Sequence, residues 1–234
     1  MNDALVQRRW DDEYRRGRYL KEPPVPFVKT ILSMLREHDE LLNGRGLYVG
    51  CGTGRNYLPL VEGGARLYGI DLSPEAVKHL AEQSPAEAVP LICGDFRTLR
   101  IEGMFDYCVA IQVFQHGDEG DVSLYFKRVA ALLRPGGLFF LRVNSATTEI
   151  YHRHTVIERN EFGGFTIRYD EGPKTGLFVH FYSRDELLRR TEGRFEVVLH
   201  PREDVIRRTP PETGSWSQWE VVWRRNAEPL CGSP

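Results

Sequence analysis

The stretch Tyr48-Val49-Gly50-Cys51-Gly52-Thr53-Gly54 is a short apolar strand that runs into three closely spaced glycines and then into a helix reaching about Glu62. Glycine lets the backbone turn sharply and leaves no Cβ between the main chain and a bound group. Amides at the start of the next helix can then face that group directly. An ordinary tight strand-to-helix turn looks much the same, so the surrounding residues have to decide.

Outward from the glycines, strand and helix alternate. Residues 66–70 form a second strand, and Ser73-Pro74-Glu75 opens a helix with a capping hydroxyl followed by proline in the first turn. Residues 89–93 and 105–113 read as the third and fourth strands. A helix over 121–133 is stopped by Arg134-Pro135-Gly136-Gly137, and residues 138–143 make the fifth strand. This alternation predicts parallel βαβ units in a doubly wound α/β sheet with helices on both faces.

The rhythm breaks after residue 143. Residues 144–182 read as an insertion ending in a β-hairpin, with strands at 165–170 and 175–182 around Glu171-Gly172-Pro173-Lys174. Ser183 then caps a helix to about Thr191 with Glu186 at the capping-box position, and residues 195–200 and 217–223 add two strands. Ahead of the core, Val6, Trp10 and Tyr14 share one face of a helix over residues 3–19. Pro23, Pro24 and Pro26 break the chain before a second amphipathic helix carrying Phe27, Ile31, Leu32, Leu35 and Leu41. The expected organisation is a helical cap over 1–45, a ligand-binding core over 46–143 and a substrate-side insertion over 144–182. Residues 183–225 complete the core, and 226–234 form a flexible tail.

Composition narrows the function. The chain has 234 residues with 31 basic and 33 acidic side chains, a formal net charge of -2. A protein that grips a phosphate backbone normally shows a basic excess, so no nucleic-acid partner is expected. Cys51, Cys93, Cys108 and Cys231 make no zinc-type spacing, which predicts no metal and a reducing, cytoplasmic setting. No secretory signal or membrane span is read from the chain, so no membrane partner is expected.

Asp71 closes the second strand about 20 residues beyond the glycine turn, placed to accept hydrogen bonds from the two hydroxyls of a ribose. Asp95 closes the third strand in Cys93-Gly94-Asp95-Phe96, where a carboxylate can receive an adenine amino group while Phe96 covers the ring. Either acid alone is an ordinary cap or turn residue. Glycines and two acids at three successive strand ends, on the edge where open α/β sheets bind ligands, are far more specific.

These segments, with residues 105–116 and Leu133-Arg134-Pro135-Gly136-Gly137, resemble the class I S-adenosylmethionine-dependent methyltransferases over roughly residues 46–143. The resemblance implies a Rossmann-like sheet with an antiparallel last strand at 217–223. It implies S-adenosylmethionine as cofactor and S-adenosylhomocysteine as product. It places Gly50, Gly52 and Gly54 at the methionine end, Asp71 at the ribose and Asp95 and Phe96 at adenine, with Cys51, Thr53, Asn56, Leu72 and Gly94 as further cofactor contacts. Ile111, Gln112 and Val113 would lie beneath the sulfonium. A nicotinamide dehydrogenase would need its third glycine one position later than Gly54.

The acceptor is then expected to be a small molecule methylated at O, N or S, with a tRNA or protein methyltransferase, or a non-catalytic cofactor-binding protein, as the alternatives. Residues 10–19 are similar to the opening of thiopurine- and tellurite-type methyltransferases. Trp10, Tyr14 and Tyr19 can close over a sulfonium, whose charge favours aromatic faces, or simply pack. Arg142 and Asn144 at the end of the fifth strand, with Arg168 and Tyr182 on the hairpin, are the other candidate substrate contacts. His116 and His180 are the candidate proton acceptors, imidazole being the usual base near neutral pH. Solvent exposure of the hairpin residues and a packing role for His116 are the plain counter-readings.

Overall fold

The computed structural model describes residues 3–17, 19–20, 22–84 and 90–227. Of the expected tail, residues 228–234 lie outside the described residues, as do Cys231 and the first residue of the expected third strand, Val89. Helix α1 (Asp3–Arg15) leads, followed by α2 (Phe27–Arg36) and the short α3 (Asp39–Leu42). The core then runs β1 (Gly46–Val49), α4 (Tyr57–Glu62), β2 (Leu67–Asp71), α5 (Pro74–Gln83), β3 (Leu91–Cys93), β4 (Phe105–Ile111), α6 (Glu119–Leu132) and β5 (Leu133–Asn144). The remainder is β6 (His154–Arg159), β7 (Phe165–Tyr169), β8 (Phe178–Phe181), α7 (Arg184–Thr191), β9 (Phe195–Arg207) and β10 (Ser215–Arg225).

Seven strands form one sheet in the order β3-β2-β1-β4-β5-β10-β9. β1 to β5 are mutually parallel, and β10 runs antiparallel to both β5 and β9. Parallel strands covered on both faces need apolar side chains throughout, and all four residues of β1 are buried. One face carries α6, α7 and a core around Phe126, Phe139 and Trp223; the other carries α2, α4 and α5 over Ile31, Tyr57 and Phe140. Register levels the strand ends: Val49 lies beside Ile70 on one side and Ala110 on the other, and Asp71 lies beside Cys93. The order reverses between β1 and β4, which opens a crevice there.

Residues expected to form a two-stranded hairpin belong to a three-stranded antiparallel sheet, β6-β7-β8. β6 escaped detection because its apolar residues, Val156 and Ile157, are both exposed and give no alternation. Strand alternation puts Leu177, Val179 and Phe181 on one face of the second hairpin strand, as the expected core, and His180 and Tyr182 on the other. Val179 and Phe181 are buried, and so are His180 and Tyr182 on the opposite face, because that face packs back on the main sheet. Bridges His116–Val179 and Ser145–Tyr182 stitch the two sheets together.

β9 and β10 are also longer than expected, running past the sheet edge. Their charged centre is held by cross-strand pairs, Arg202 with Glu220 at 2.8 Å and Asp204 with Arg142 at 2.7 Å. No helix among the described residues is long and apolar enough to cross a membrane.

Candidate active site

The levelled strand ends enclose a crevice of about 450 Å³, within the range of small-molecule sites. The glycine turn forms its floor. Gly52 has φ +54°, a left-handed conformation, and a Cβ there would come within 2.9 Å of the Tyr14 hydroxyl. Gly50, Cys51, Thr53 and Asn56 line the same wall. Gly54 does not. A Cβ on it would meet Leu58 and Leu80 at 2.9 and 2.7 Å, so this glycine, expected at the ligand, lets α4 and α5 close on the turn. The Asn56 side chain accepts from the Val25 amide at 2.9 Å and ties the segment after α1 to the turn.

Asp71 is almost fully buried at the end of β2. Its two oxygens accept from the Gly52 amide at 2.7 Å and the Ser73 amide at 2.9 Å, which locks the acid to the glycine turn. Burial pushes its pKa up to about 6, against the pull of those amides. Each oxygen keeps a further lone pair for an incoming hydroxyl. Leu72 follows it into the lining.

Gly94, Asp95 and Phe96 complete the far end of the crevice. Arg97 grips both oxygens of Asp95, at 3.0 Å through Nε, and holds this acid below the usual carboxylate range despite the opposing effect of burial. Phe96 extends a ring stack through Phe114 and Tyr125, with centroids 5.9 and 6.3 Å away.

At the tip of β4, Ile111, Gln112 and Val113 line the centre. Gln112 adopts φ +59°, rare for a residue with a side chain and typical of strained functional turns. Its amide N–H donates to the Arg142 carbonyl at 2.8 Å and its side chain to Gln218 at 3.1 Å. His116 lines the crevice with Nδ1 buried and unpartnered, its ring edge-on to Trp10 at 4.8 Å between centroids. Burial first, and then the Lys174 charge, press its pKa down to about 3, so the imidazole is neutral.

Helix α1 roofs the crevice with Trp10 and Tyr14, and Tyr19 follows. The roof is tethered by a buried Asp11–Ser73 hydrogen bond and by Arg15–Glu75 at 2.9 Å. Sequence reasoning missed Glu22, Arg55, Gln115, Lys174, Ile206 and Trp216, which also line it. They come from loops and strand extensions without periodicity or a motif to flag them.

Several expected contacts fall elsewhere. His180 is buried away from the crevice, bonded to Thr166 at 2.8 Å and Glu186 at 2.8 Å. Tyr182 is buried beside it and donates to the Phe114 carbonyl. Arg168 is exposed and paired with Asp170 at 3.1 Å, because its face of β7 turns to solvent there. Arg142 does reach the crevice, but its terminal nitrogens are held by Glu220 and Asp204, which already satisfy a cation that was expected to meet an acceptor carboxylate. Asn144 lines a neighbouring hollow, where its Oδ1 accepts from Trp216 and Gln218, each at 3.2 Å. Glu186 is not the reciprocal arm of a capping box: Ser183 caps α7 alone, and the carboxylate goes to His180 and Arg190. Donor atoms of Glu119, His180 and Glu186 lie within 4.8 Å of one another. The Arg190 guanidinium sits among them, bonded to both carboxylates, so the cluster is an ion network.

Residues 47–141 match a family model described as a methyltransferase domain. The matched span holds the glycine turn, Asp71 and Asp95 and runs into β5, on a sheet of Rossmann-like order with the crevice at its switch point. A ubiquinone biosynthesis O-methyltransferase from Methylobacterium sp. (strain 4-46) is 34% identical over 175 residues, which cover 72% of this chain and 65% of the relative. The match thus spans just under two thirds of that protein. Solved structures that share the fold include the following two. One is the 1,6-didemethyltoxoflavin-N1-methyltransferase of Burkholderia thailandensis (TM-score 0.66, 21% identity, 96% of this chain and 88% of that one). The other is the magnesium protoporphyrin IX methyltransferase of Synechocystis PCC 6803 (TM-score 0.64, 14% identity, 97% and 98%).

Proposed function

We propose that the chain transfers a methyl group from S-adenosylmethionine to an O, N or S atom of a small molecule. The observation that carries this reading is the convergence of three adjoining strand ends on one crevice, bare main chain at Gly52 and a buried acid at Asp71. The residues suit the cofactor. Asp71 can hold ribose hydroxyls, Leu72, Phe96 and Val113 offer apolar surface to a base, and Tyr14 and Trp10 offer aromatic faces to a cation.

When bound, the cofactor supplies a methyl carbon that is already electrophilic. The protein's own task is positioning and exclusion of water, worth roughly 7–11 kcal/mol in well-oriented reactions. The α1 roof does the excluding. A neutral His116 adds no like charge beside a sulfonium, and its low basicity restricts it to taking a proton from an acidic acceptor O–H or N–H. Cys51, Cys93 and Cys108 are free thiols, in keeping with a cytoplasmic setting.

Two measurements test the reading. Calorimetry should show saturable S-adenosylhomocysteine binding, and labelled methyl should pass to at least one member of a metabolite panel; absence of both sinks it. Affinity should also depend on pH. The ionised Asp71 is the form that accepts from hydroxyls, so binding should strengthen as pH rises through about 6 and level off above 7, with proton release on binding below that point. A flat profile from pH 5 to 7 would remove Asp71 from the ribose. With an acceptor in hand, His116→Asn should lower kcat by about 10²-fold and recover at a pH where the acceptor ionises unaided. An unchanged kcat would leave His116 a packing residue.

A further inference from the structure

Where the ends of β4, β5 and β10 meet, hydrogen bonds link four amide-bearing residues in a row. Gln112 donates to Gln218 at 3.1 Å, and Gln218 donates to Asn144 Oδ1 at 3.2 Å. The Asn144 backbone amide in turn donates to Gln115 Oε1 at 3.0 Å. The Trp216 indole adds a second donor to Asn144 Oδ1 at 3.2 Å. Gln115, Asn144 and Gln218 are all buried, at 3% exposure or less.

Two groups of this row are left over. Gln115 spends its Oε1 on Asn144, and its Nε2 hydrogens have no partner among the described residues. Gln112 spends its Nε2 on Gln218, and its Oε1 has no partner among them either. Both residues line the crevice. A buried amide used by half is costly unless a ligand completes it. The bonded half of each glutamine fixes the other half, so the crevice presents one neutral donor and one neutral acceptor.

The charged side chains nearby are spent. Arg142 is held by Glu220 and Asp204, Arg55 meets Glu22 at 2.7 Å, and Lys174 is engaged within the chain as well. Trp10 and Trp216 bring flat rings to the crevice. Trp216 also lines an adjoining hollow of about 150 Å³, together with Tyr151 and Tyr169. Flat rings beside a neutral donor and acceptor suit a planar polar heterocycle.

Resting on the methyltransferase reading, we propose that the acceptor is a planar heteroaromatic lactam or imide, its ring carbonyl accepting from Gln115 and its ring N–H donating to Gln112. The two glutamines are thereby specificity-determining residues with complementary roles. A ring oxygen in place of the N–H would set one lone pair against another at Gln112.

The test is calorimetric titration of the S-adenosylhomocysteine-loaded protein with 2-quinolone and coumarin. These probes share one shape and one ring carbonyl and differ only in N–H against ring oxygen. 2-Quinolone should bind about tenfold or more tightly. Gln112→Met should erase that gap, whereas Gln115→Met should weaken both probes by about tenfold and keep it. Melting curves report whether each variant folds, and the comparison in the unmodified protein depends on neither. The proposal is overturned if coumarin matches 2-quinolone there, or if 2-quinolone does not bind saturably. It is equally overturned if folded Gln112→Met keeps the gap or folded Gln115→Met leaves both affinities unchanged. Loss of S-adenosylhomocysteine binding in the unmodified protein is a separate result, which strikes the methyltransferase reading instead.

Discussion

Asp71→Ala is expected to weaken S-adenosylhomocysteine binding by at least about 100-fold, since two hydrogen bonds to a charged group at about 1.5–3 kcal/mol each are lost. Two effects add. The ribose loses its acceptors, and the glycine turn loses the carboxylate that takes the Gly52 and Ser73 amides. Asp71→Asn is the milder change. Its one remaining oxygen keeps one backbone amide while its NH2 opposes the other N–H, so an intermediate affinity with a modest fall in melting temperature is expected. Calorimetry reads both variants. Wild-type affinity in Asp71→Ala would dissolve the nucleoside assignment.

The largest stability effect is expected at Glu186, outside the crevice. Its buried carboxylate accepts from His180 at 2.8 Å and from Arg190 Nε at 2.7 Å, tying the inserted sheet to α7 and, through Arg190 and Glu119, to α6. Glu186→Ala leaves the Arg190 guanidinium and the His180 ring nitrogen facing an apolar hole, and breaking a buried pair this way costs about 3–5 kcal/mol. For a chain of this size, that is a fall of roughly 10 °C in melting temperature. Cofactor affinity should stay within about twofold, the range of substitutions remote from a site. A shift below about 1 kcal/mol in a denaturant melt would refute the network's weight. Acid should reveal the same group. Burial alone would raise the Glu186 carboxyl, but His180 and Arg190 hold it below its ordinary value. Its stabilisation is therefore full above the normal glutamate range and lost as pH falls through the lower folded value. The variant should lack that part of the acid sensitivity.

The cofactor half of the site was legible because each part of it is local. Gly52 follows β1, Asp71 ends β2 and Asp95 follows β3, each within about three residues of the strand that carries it. A parallel sheet brings such ends level by register alone. The acceptor half was not. Arg142 looked like a waiting cation because its partners are 62 and 78 residues away, on strands whose charged centres gave no alternation. His180 looked like a base because strand alternation says which residues share a face, not whether another sheet covers it. Lys174 and Trp216 carry no motif and line the same crevice only through the fold.

Chain-local chemistry therefore determined the doubly wound sheet, its crevice and the acids at the strand ends, since periodicity, caps and glycine turns act over a few residues. Tertiary packing decided the rest: which polar side chains are spent on ion networks, which are sealed in the core and which face an acceptor. Burial and charge pairing between distant segments set those outcomes, and no stretch of sequence carries that information by itself.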